Sequence, residues 1–372
     1  MHPERHLNME RISSYQLFTM TFLYQLGTTI FFGFGASAGR DAWIAILISS
    51  LLGSLVIIMY IVLMRMNPGL TLVEWFPAQF GRWVGTPIAW LYPLIFLFDG
   101  GRIVGDLRDL IPTTLLPSTP PLVFNGVFLL IIAYGLYLGI ENLARAGEIA
   151  LPIIVLLFII ETILLFYSEV IHFQFLLPVF GNGWSPIWAT VYPNGITQTY
   201  GETIAFAMIW TQTKNPKQIM KITILSSLIS GLFLAVAVTL AITVFDEDLF
   251  KRSVYPLYSL LGVVSIGNFI NNLSPFGVIY LSVTAFFKTF IKIFAAIRAI
   301  QILTSLRDER LLILPAVIIA MALGMTVSKN VAEHIPKLAL NIIVPYVWVP
   351  LFLILPSILL IVTWIRTKVK KK

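Results

Sequence analysis

Ten stretches of this chain are apolar over about 20 consecutive residues, the length an α-helix needs to cross the hydrocarbon core of a bilayer. They fall at roughly 15–36, 42–64, 84–111, 121–139, 146–168, 188–212, 219–245, 275–304, 312–328 and 341–365. Runs this continuous exclude a β-barrel, whose strands alternate apolar and polar residues. Charged residues make up 12% of the chain against 58% hydrophobic, whereas a soluble domain carries about 25% charge. The expected fold class is an all-α polytopic membrane protein. Cysteine is absent, which removes disulfides, thiolate metal sites and cysteine nucleophiles. The net charge of +7 is scattered through short loops and a tail, a distribution that membrane topology explains better than nucleic-acid binding. The amino-terminal MHPERHLNMERISS is polar, so no signal peptide is expected.

One of the ten stretches is unlike the rest. Within TVYPNGITQTYGETIAFAMIW (190–210) stand Pro193, Asn194, Gly195, Gly201 and an ionisable Glu202. Proline and glycine this dense break a helix, and backbone groups freed at membrane depth persist only where protein or a wet cavity satisfies them. A carboxylate there costs several kcal/mol (~2.5–3.5 on insertion scales) unless paired or protonated, which makes it a functional candidate. The plainer reading is a glutamate bonded to a neighbouring helix beside an outer Pro-Gly loop. The first stretch, YQLFTMTFLYQLGTTIFFGFGAS, holds Gly27, Gly33 and Gly35 with Thr28 and Thr29 between, plus Gln16 and Gln25. Its glycines can simply let helices approach. Taken with 190–210, however, the first span of each set of five is interrupted. Paired interruptions in two halves point to a solute site near the bilayer midplane, where exposed amides and carbonyls hold a carboxylate and an ammonium.

Lysine and arginine set the expected orientation. With the amino terminus inside, the cytoplasmic side holds Arg5, Arg11, Arg65, Arg82, Arg145, Lys214, Lys217, Lys221, Arg307, Arg310, Arg366, Lys368, Lys370, Lys371 and Lys372. The outer side holds only Arg40, Lys251, Arg252, Lys329 and Lys337, so both termini are expected in the cytoplasm. The organisation that follows is a tail at 1–14, five helices at 15–168, an outer loop at 169–187, five helices at 188–365 and a basic tail at 366–372 that anchors to anionic lipid. The stretch 246–274, opened by Asp246-Glu247-Asp248, reads as an outer helix lying across the protein.

The third span is the most charged. Asp99, Arg102, Asp106 and Asp109 are spaced three, four and three apart and share a face. Asp106, Arg108 and Asp109 are expected among headgroups or water, with Asp99 about 18 Å from the outer end. In the eighth span Lys288 falls about 20 Å from the outer surface, with Lys292 a turn deeper. Lys288 can therefore compensate Asp99 or Glu202; alternatively both lysines face a wet cytoplasmic vestibule. Glu161, near the outer end of its span, is expected to reach water. The histidines His2, His6, His172 and His334 fall in tails or loops, so no metal site is expected. Gly33-Phe34-Gly35 is too short for a nucleotide fingerprint and there is no P-loop. Neither a cofactor nor intramembrane enzyme chemistry is expected, since no nucleophile is paired with a base.

SAGRDAWIAIL (37–47) resembles the spore germination permease family, the B subunits of nutrient germinant receptors. The likeness continues in ISSYQLF (12–18), NPGLTLVEW (67–75), FGRWVG (80–85), LLPSTPPLVF (115–124), GIENLARAGEI (139–149), LLPVFGNG (176–183) and YGETIAF (200–206). That family is related to the amino acid–polyamine–organocation transporters. The resemblance implies ten helices in two inverted five-helix repeats, with discontinuous first and sixth helices at a small-molecule site. By this pattern Gly27, Thr28, Thr29 and Ile30 match the first unwound region, Tyr200, Gly201 and Glu202 the second, and Arg40 and Asp41 an outer signature in which the pair caps the second span. It also implies the inner membrane of a bacterial spore, an A subunit and a lipoprotein C subunit as partners, and sensing of a nutrient such as an amino acid. The fifth span lacks the lysine that some proton-coupled relatives carry, which favours a sensor over coupled transport. A secondary transporter and a water or ion channel, lined by spans three and eight, are the alternatives.

Overall fold

The computed structural model describes residues 11–114, 117–265, 272–331 and 333–369. His2, His6, Asn271 and the tail lysines 370–372 lie outside them. The described chain is helical, with no β-structure among the described residues beyond one bridge from Ile12 to Thr213.

The first helix, α1 (Ser14–Leu26), opens on a reciprocal cap. The Ser13 hydroxyl accepts from the Gln16 amide at 3.2 Å, and the Gln16 side chain accepts from the Ser13 amide at 2.8 Å. It ends at Gly27, whose φ of +43° and ψ of −137° suit a residue without Cβ. Residues 27–35 continue as turns, so the helix stops partway through the expected span. Helix α2 (Ala42–Met66) follows. Next comes α3 (Leu72–Phe80), opened by a Thr71–Glu74 capping box and burying Leu72, Val73, Trp75 and Phe76. The hydropathy reading treats 65–83 as loop, because nine residues are too short to register as a span. Helices α4 (Arg82–Thr114), α5 (Pro121–Leu138) and α6 (Ile140–Tyr167) come next.

The second broken segment starts with α7 (Trp184–Thr190) and is interrupted at Tyr192, which is extended at φ −122° and ψ 132°. It is then wound loosely over Val191–Tyr200 and tightly over Gly201–Met208. Helix α8 (Ile219–Arg252) kinks at Asp246, φ +65°. The seven-residue α9 (Pro256–Gly262) is about 10 Å long, too short to cross a membrane. Helices α10 (Ser274–Thr304) and α11 (Ile313–Thr326) lead to a loosely wound stretch, Glu333–Ile354, which runs into α12 (Leu355–Val369).

Eight helical segments of the described chain are long and apolar enough to cross a membrane. The expected spans 15–36 and 188–212 are not among them, because each is broken. Ile12 exchanges backbone hydrogen bonds with Gln212 and Lys214, and Arg366 reaches the carbonyl of Ala78 at 3.4 Å. The start of α1, the end of the second broken segment, α3 and the end of α12 therefore share one face of the bundle, here the terminal face. Helices α4 and α10 are central: 72% of the most apolar window of each is buried, against 22% for α6 and α11 at the rim. Glycines let α4 and α11 touch. A Cβ on Gly101 would stand 2.5 Å from Leu323 Cβ, and one on Gly324 2.6 Å from Val104 Cγ1.

Three expectations are corrected here. Arg108 is buried rather than among headgroups; it donates to the carbonyls of Ser328 (2.6 Å) and Gly324 (3.2 Å) and so caps the end of α11. Glu161 does not reach water but is buried, accepting from the Tyr280 hydroxyl at 3.0 Å. Arg40 and Asp41 do not pair or cap α2 through a side chain. Arg40 meets Glu247 at 2.5 Å and donates to the Leu177 carbonyl, while Asp41 accepts from the Phe180 amide at 3.1 Å. Together they tie the start of α2 to the 173–183 loop and the end of α8.

Candidate functional site

The face of α4 that carries Asp99, Arg102 and Asp106 turns inward onto α10 and the second broken segment, because the three- and four-residue steps keep all three on one side. Helix α10 presents Lys288 and Lys292, one turn apart, to that face. The second broken segment contributes Glu202 at the junction between its loose and tight windings. All six side chains are buried, the most exposed being Arg102 at 4%. Three acids balance three bases.

The charges form two linked groups. In the deeper one Lys292 donates to Asp99 Oδ2 at 2.6 Å, and the Trp348 indole donates to Asp99 Oδ1 at 3.1 Å. Lys288 Nζ lies 3.0 Å and Lys292 Nζ 3.5 Å from Glu202 Oε2. Those contacts are ionic without hydrogen-bond alignment, so neither Glu202 oxygen has a hydrogen-bond donor. The rings of Phe352, Phe96 and Tyr24 stand 5.4, 5.6 and 6.0 Å from Lys292 Nζ and add cation–π attraction. In the shallower group Arg102 Nη1 is 3.5 Å from Asp106 Oδ2, which also accepts from the Thr28 hydroxyl at 2.8 Å. The Arg102 guanidinium lies over Trp348 at 5.4 Å. Asp106 is thus part of the buried ion network and not at the headgroups, a second correction on this helix.

The winding change at Tyr200–Gly201 frees carbonyl groups, and the protein itself occupies them. Tyr24 donates to the Glu202 carbonyl at 2.8 Å; the one hydroxyl proton of Tyr60 is shared between the carbonyls of Phe352 (2.5 Å) and Gly201 (3.1 Å), and that of Thr284 between those of Gly27 and Tyr280 (2.7 Å each). The backbone at these breaks is satisfied by side-chain hydroxyls from α1, α2 and α10.

A cavity of about 420 Å³ opens on the side away from the terminal face. Its walls include Thr29, Gly33, Arg102, Asp106, Asn194 and Gln198. It is of ligand size, and its floor is the Arg102–Asp106 pair. Of the residues marked in the sequence, Thr29 lines it and Thr28 steadies Asp106 beneath it. Ile30 lines a narrow apolar crevice beside Leu234. Gly27 packs against Lys288, Tyr200 against Gly53 and Gly231, and Gly201 against Phe352. Arg40 and Asp41 lie apart from the network. Asn194 and Gln198 are the lining residues that sequence reasoning missed in this role. A polar pair four residues apart in an apolar stretch was the available signal. Trp348 was missed too, although a tryptophan inside a span rather than at its edge is unusual. Among the described residues no group of acids and histidines could hold a metal ion.

A multi-pass helical bundle with two broken segments, a solute-sized chamber and a charged floor defines a permease-like membrane protein. Residues 11–332 match the family described as "Spore germination protein", and the chain belongs to that family. It is 30% identical to spore germination protein KB of Bacillus subtilis (strain 168) over 362 residues, 97% of each chain. It is also 24% identical to protein YndE of the same organism, over 69% of each chain. Protein XB of Bacillus anthracis is 23% identical over 71% of this chain and 73% of its own.

Proposed function

We propose that this chain is the B subunit of a nutrient germinant receptor in the inner membrane of a spore, and that it senses a zwitterionic nutrient of the amino-acid class. In this reading it crosses the membrane ten times as two inverted repeats, with both termini cytoplasmic. Its partners are an A subunit and a lipoprotein C subunit. What supports it is the 420 Å³ chamber whose lining includes Arg102 and Asp106, with Lys251 and Arg252 at its other side: Arg102 suits a carboxylate and Asp106 an ammonium. The 3.5 Å separation of the pair is longer than a charge-assisted hydrogen bond of about 2.8 Å, so the pair is a loose one that can exchange its mutual contact for contacts to a charged ligand. Binding that closes the chamber differently in two conformations shifts the balance between them, which is the only way a ligand can signal. Thr29 and the turns of the first break form one wall, with Thr28 beneath it on Asp106. Glu202 and Lys288 act beneath the ligand as a charge lock, with Gly27, Ile30, Tyr200 and Gly201 shaping the surrounding backbone.

Direct binding of an amino-acid panel to the purified chain tests this. One nutrient is expected to bind saturably, and Arg102→Gln and Asp106→Asn each to weaken it about tenfold or more, as for a lost charged hydrogen bond. Full affinity in both variants would remove the chamber from recognition. Full affinity in Glu202→Gln alone would make Glu202 structural. Coupled transport is separated by uptake into vesicles: saturable, ion-dependent accumulation by this subunit alone favours a transporter. The channel alternative needs an open path along α4 and α10, and here Asp99 and Lys292 on those faces are fully buried against each other.

A further inference from the structure

A second cavity, of about 660 Å³, opens where the end of α2 meets the turn between the second broken segment and α8. Arg65 and Lys217 stand on its wall, and neither has an ion-pair partner among the described residues. No carboxylate lines it. Met64, Pro68 and Ile219 give it an apolar side, and Thr211 adds a hydroxyl. Trp210 also contributes to the wall, and its indole nitrogen is buried with no hydrogen-bond partner. Two unpaired cations around one hollow repel each other, and an anion between them reverses that cost.

The position says which anion. Arg65 lies in the last turn of α2, and Ile219 is the first residue of α8. The hollow therefore sits where two membrane helices end, at headgroup level. A soluble anion would use the cations alone. The apolar side adjoining them matches the glycerol and first acyl carbons that follow a lipid phosphate, and basic hollows between helices at this level are the usual headgroup sites.

We propose that this cavity binds the phosphate headgroup of an acidic phospholipid, with Arg65 and Lys217 on the phosphate and Met64, Pro68 and Ile219 on the glycerol side. The site is separate from the nutrient chamber. It is joined to it along the chain, because Trp210 opens the short turn Trp210–Gln212 that follows the tightly wound Gly201–Met208 segment carrying Glu202.

The test uses the purified full chain in mild detergent, titrated with phosphatidylglycerol or phosphatidylcholine and read by native mass spectrometry. Phosphatidylglycerol is expected to bind the wild type in preference to phosphatidylcholine. Arg65→Gln/Lys217→Gln is expected to bind it roughly thirtyfold more weakly, about fivefold for each cation removed. Arg307→Gln/Arg310→Gln, which removes two exposed cations in the connection between α10 and α11, is expected to keep wild-type affinity. Should the first double variant fail to fold, Lys217→Gln alone is expected to show the fivefold loss. Equal losses in both double variants, no loss in the first, or displacement of the lipid by an equal concentration of glycerol 3-phosphate would each overturn the proposal.

Discussion

Glu202→Gln is the perturbation that reads the buried ion network most directly. Glu202 Oε2 lies 3.0 Å from Lys288 and 3.5 Å from Lys292. At an effective dielectric of about 20, each contact corresponds to on the order of 5 kcal/mol of attraction, largely offset by the cost of burying the ions. Neutralising the acid leaves the desolvation of both lysines in place with only Asp99 beside them, so the single variant is expected to lose about 3–5 kcal/mol. Lys288→Met should cost less, since Lys292 still faces the glutamate. Glu202→Gln/Lys288→Met restores equal numbers of acids and bases. It is expected to be more stable than the sum of the single losses by about 2–3 kcal/mol, the range for residues in one ionic network. The assay is chemical unfolding of the purified protein in detergent for all four members of the cycle. Additivity within about 0.5 kcal/mol would show that the charges are not coupled. The electrostatic account of this site would then be wrong.

Two further outcomes follow from single residues. Gly27→Ala places a Cβ 2.3 Å from Lys288 Cδ at a φ of +43°; it should cost about 1–3 kcal/mol in backbone strain plus the displacement of Lys288. In a Lys288→Ala background only the strain part should remain in the same unfolding assay. Arg108→Ala removes donors to the Ser328 and Gly324 carbonyls and to the Ser328 hydroxyl. It should cost about 2–3 kcal/mol, with faster amide exchange at the end of α11 than elsewhere.

The sequence carried the helical membrane class, because twenty-residue apolar runs admit few other solutions. It also carried the places where two spans break, since Gly27 and the Pro193–Gly195 cluster oppose a continuous helix on local grounds. What it could not carry was anything decided by which side of a helix faces in. Asp106, Arg108 and Glu161 sit near span ends, and proximity to an end normally means water. Here α10, α11 and the turns after Gly27 cover them, a fact of packing with no local signature. Helix α3 escaped notice because a hydropathy window tuned to spans discards nine residues, although its Thr71–Glu74 cap was visible in the letters.

The site shows the same division, with a consequence for recognition. Interrupted helices suggest that a ligand is gripped by naked peptide groups. Here the carbonyls of Gly27, Gly201 and Glu202 accept instead from Thr284, Tyr60 and Tyr24. A ligand reaching those carbonyls would have to displace the hydroxyls; Tyr24 would lose its acceptor at about 1–3 kcal/mol, whereas Tyr60 and Thr284 keep the carbonyls of Phe352 and Tyr280. At the chamber floor the exchange is milder, because the Arg102–Asp106 contact is too long for a charge-assisted hydrogen bond and a ligand ammonium competes there with the Thr28 hydroxyl on Asp106 Oδ2. The breaks then serve less to hold the solute than to let three elements meet at Glu202 and Lys288. On the proposed function, recognition rests on α4 rather than on the backbone, and substitutions at Arg102 and Asp106 should change which nutrient is sensed more than substitutions at either break.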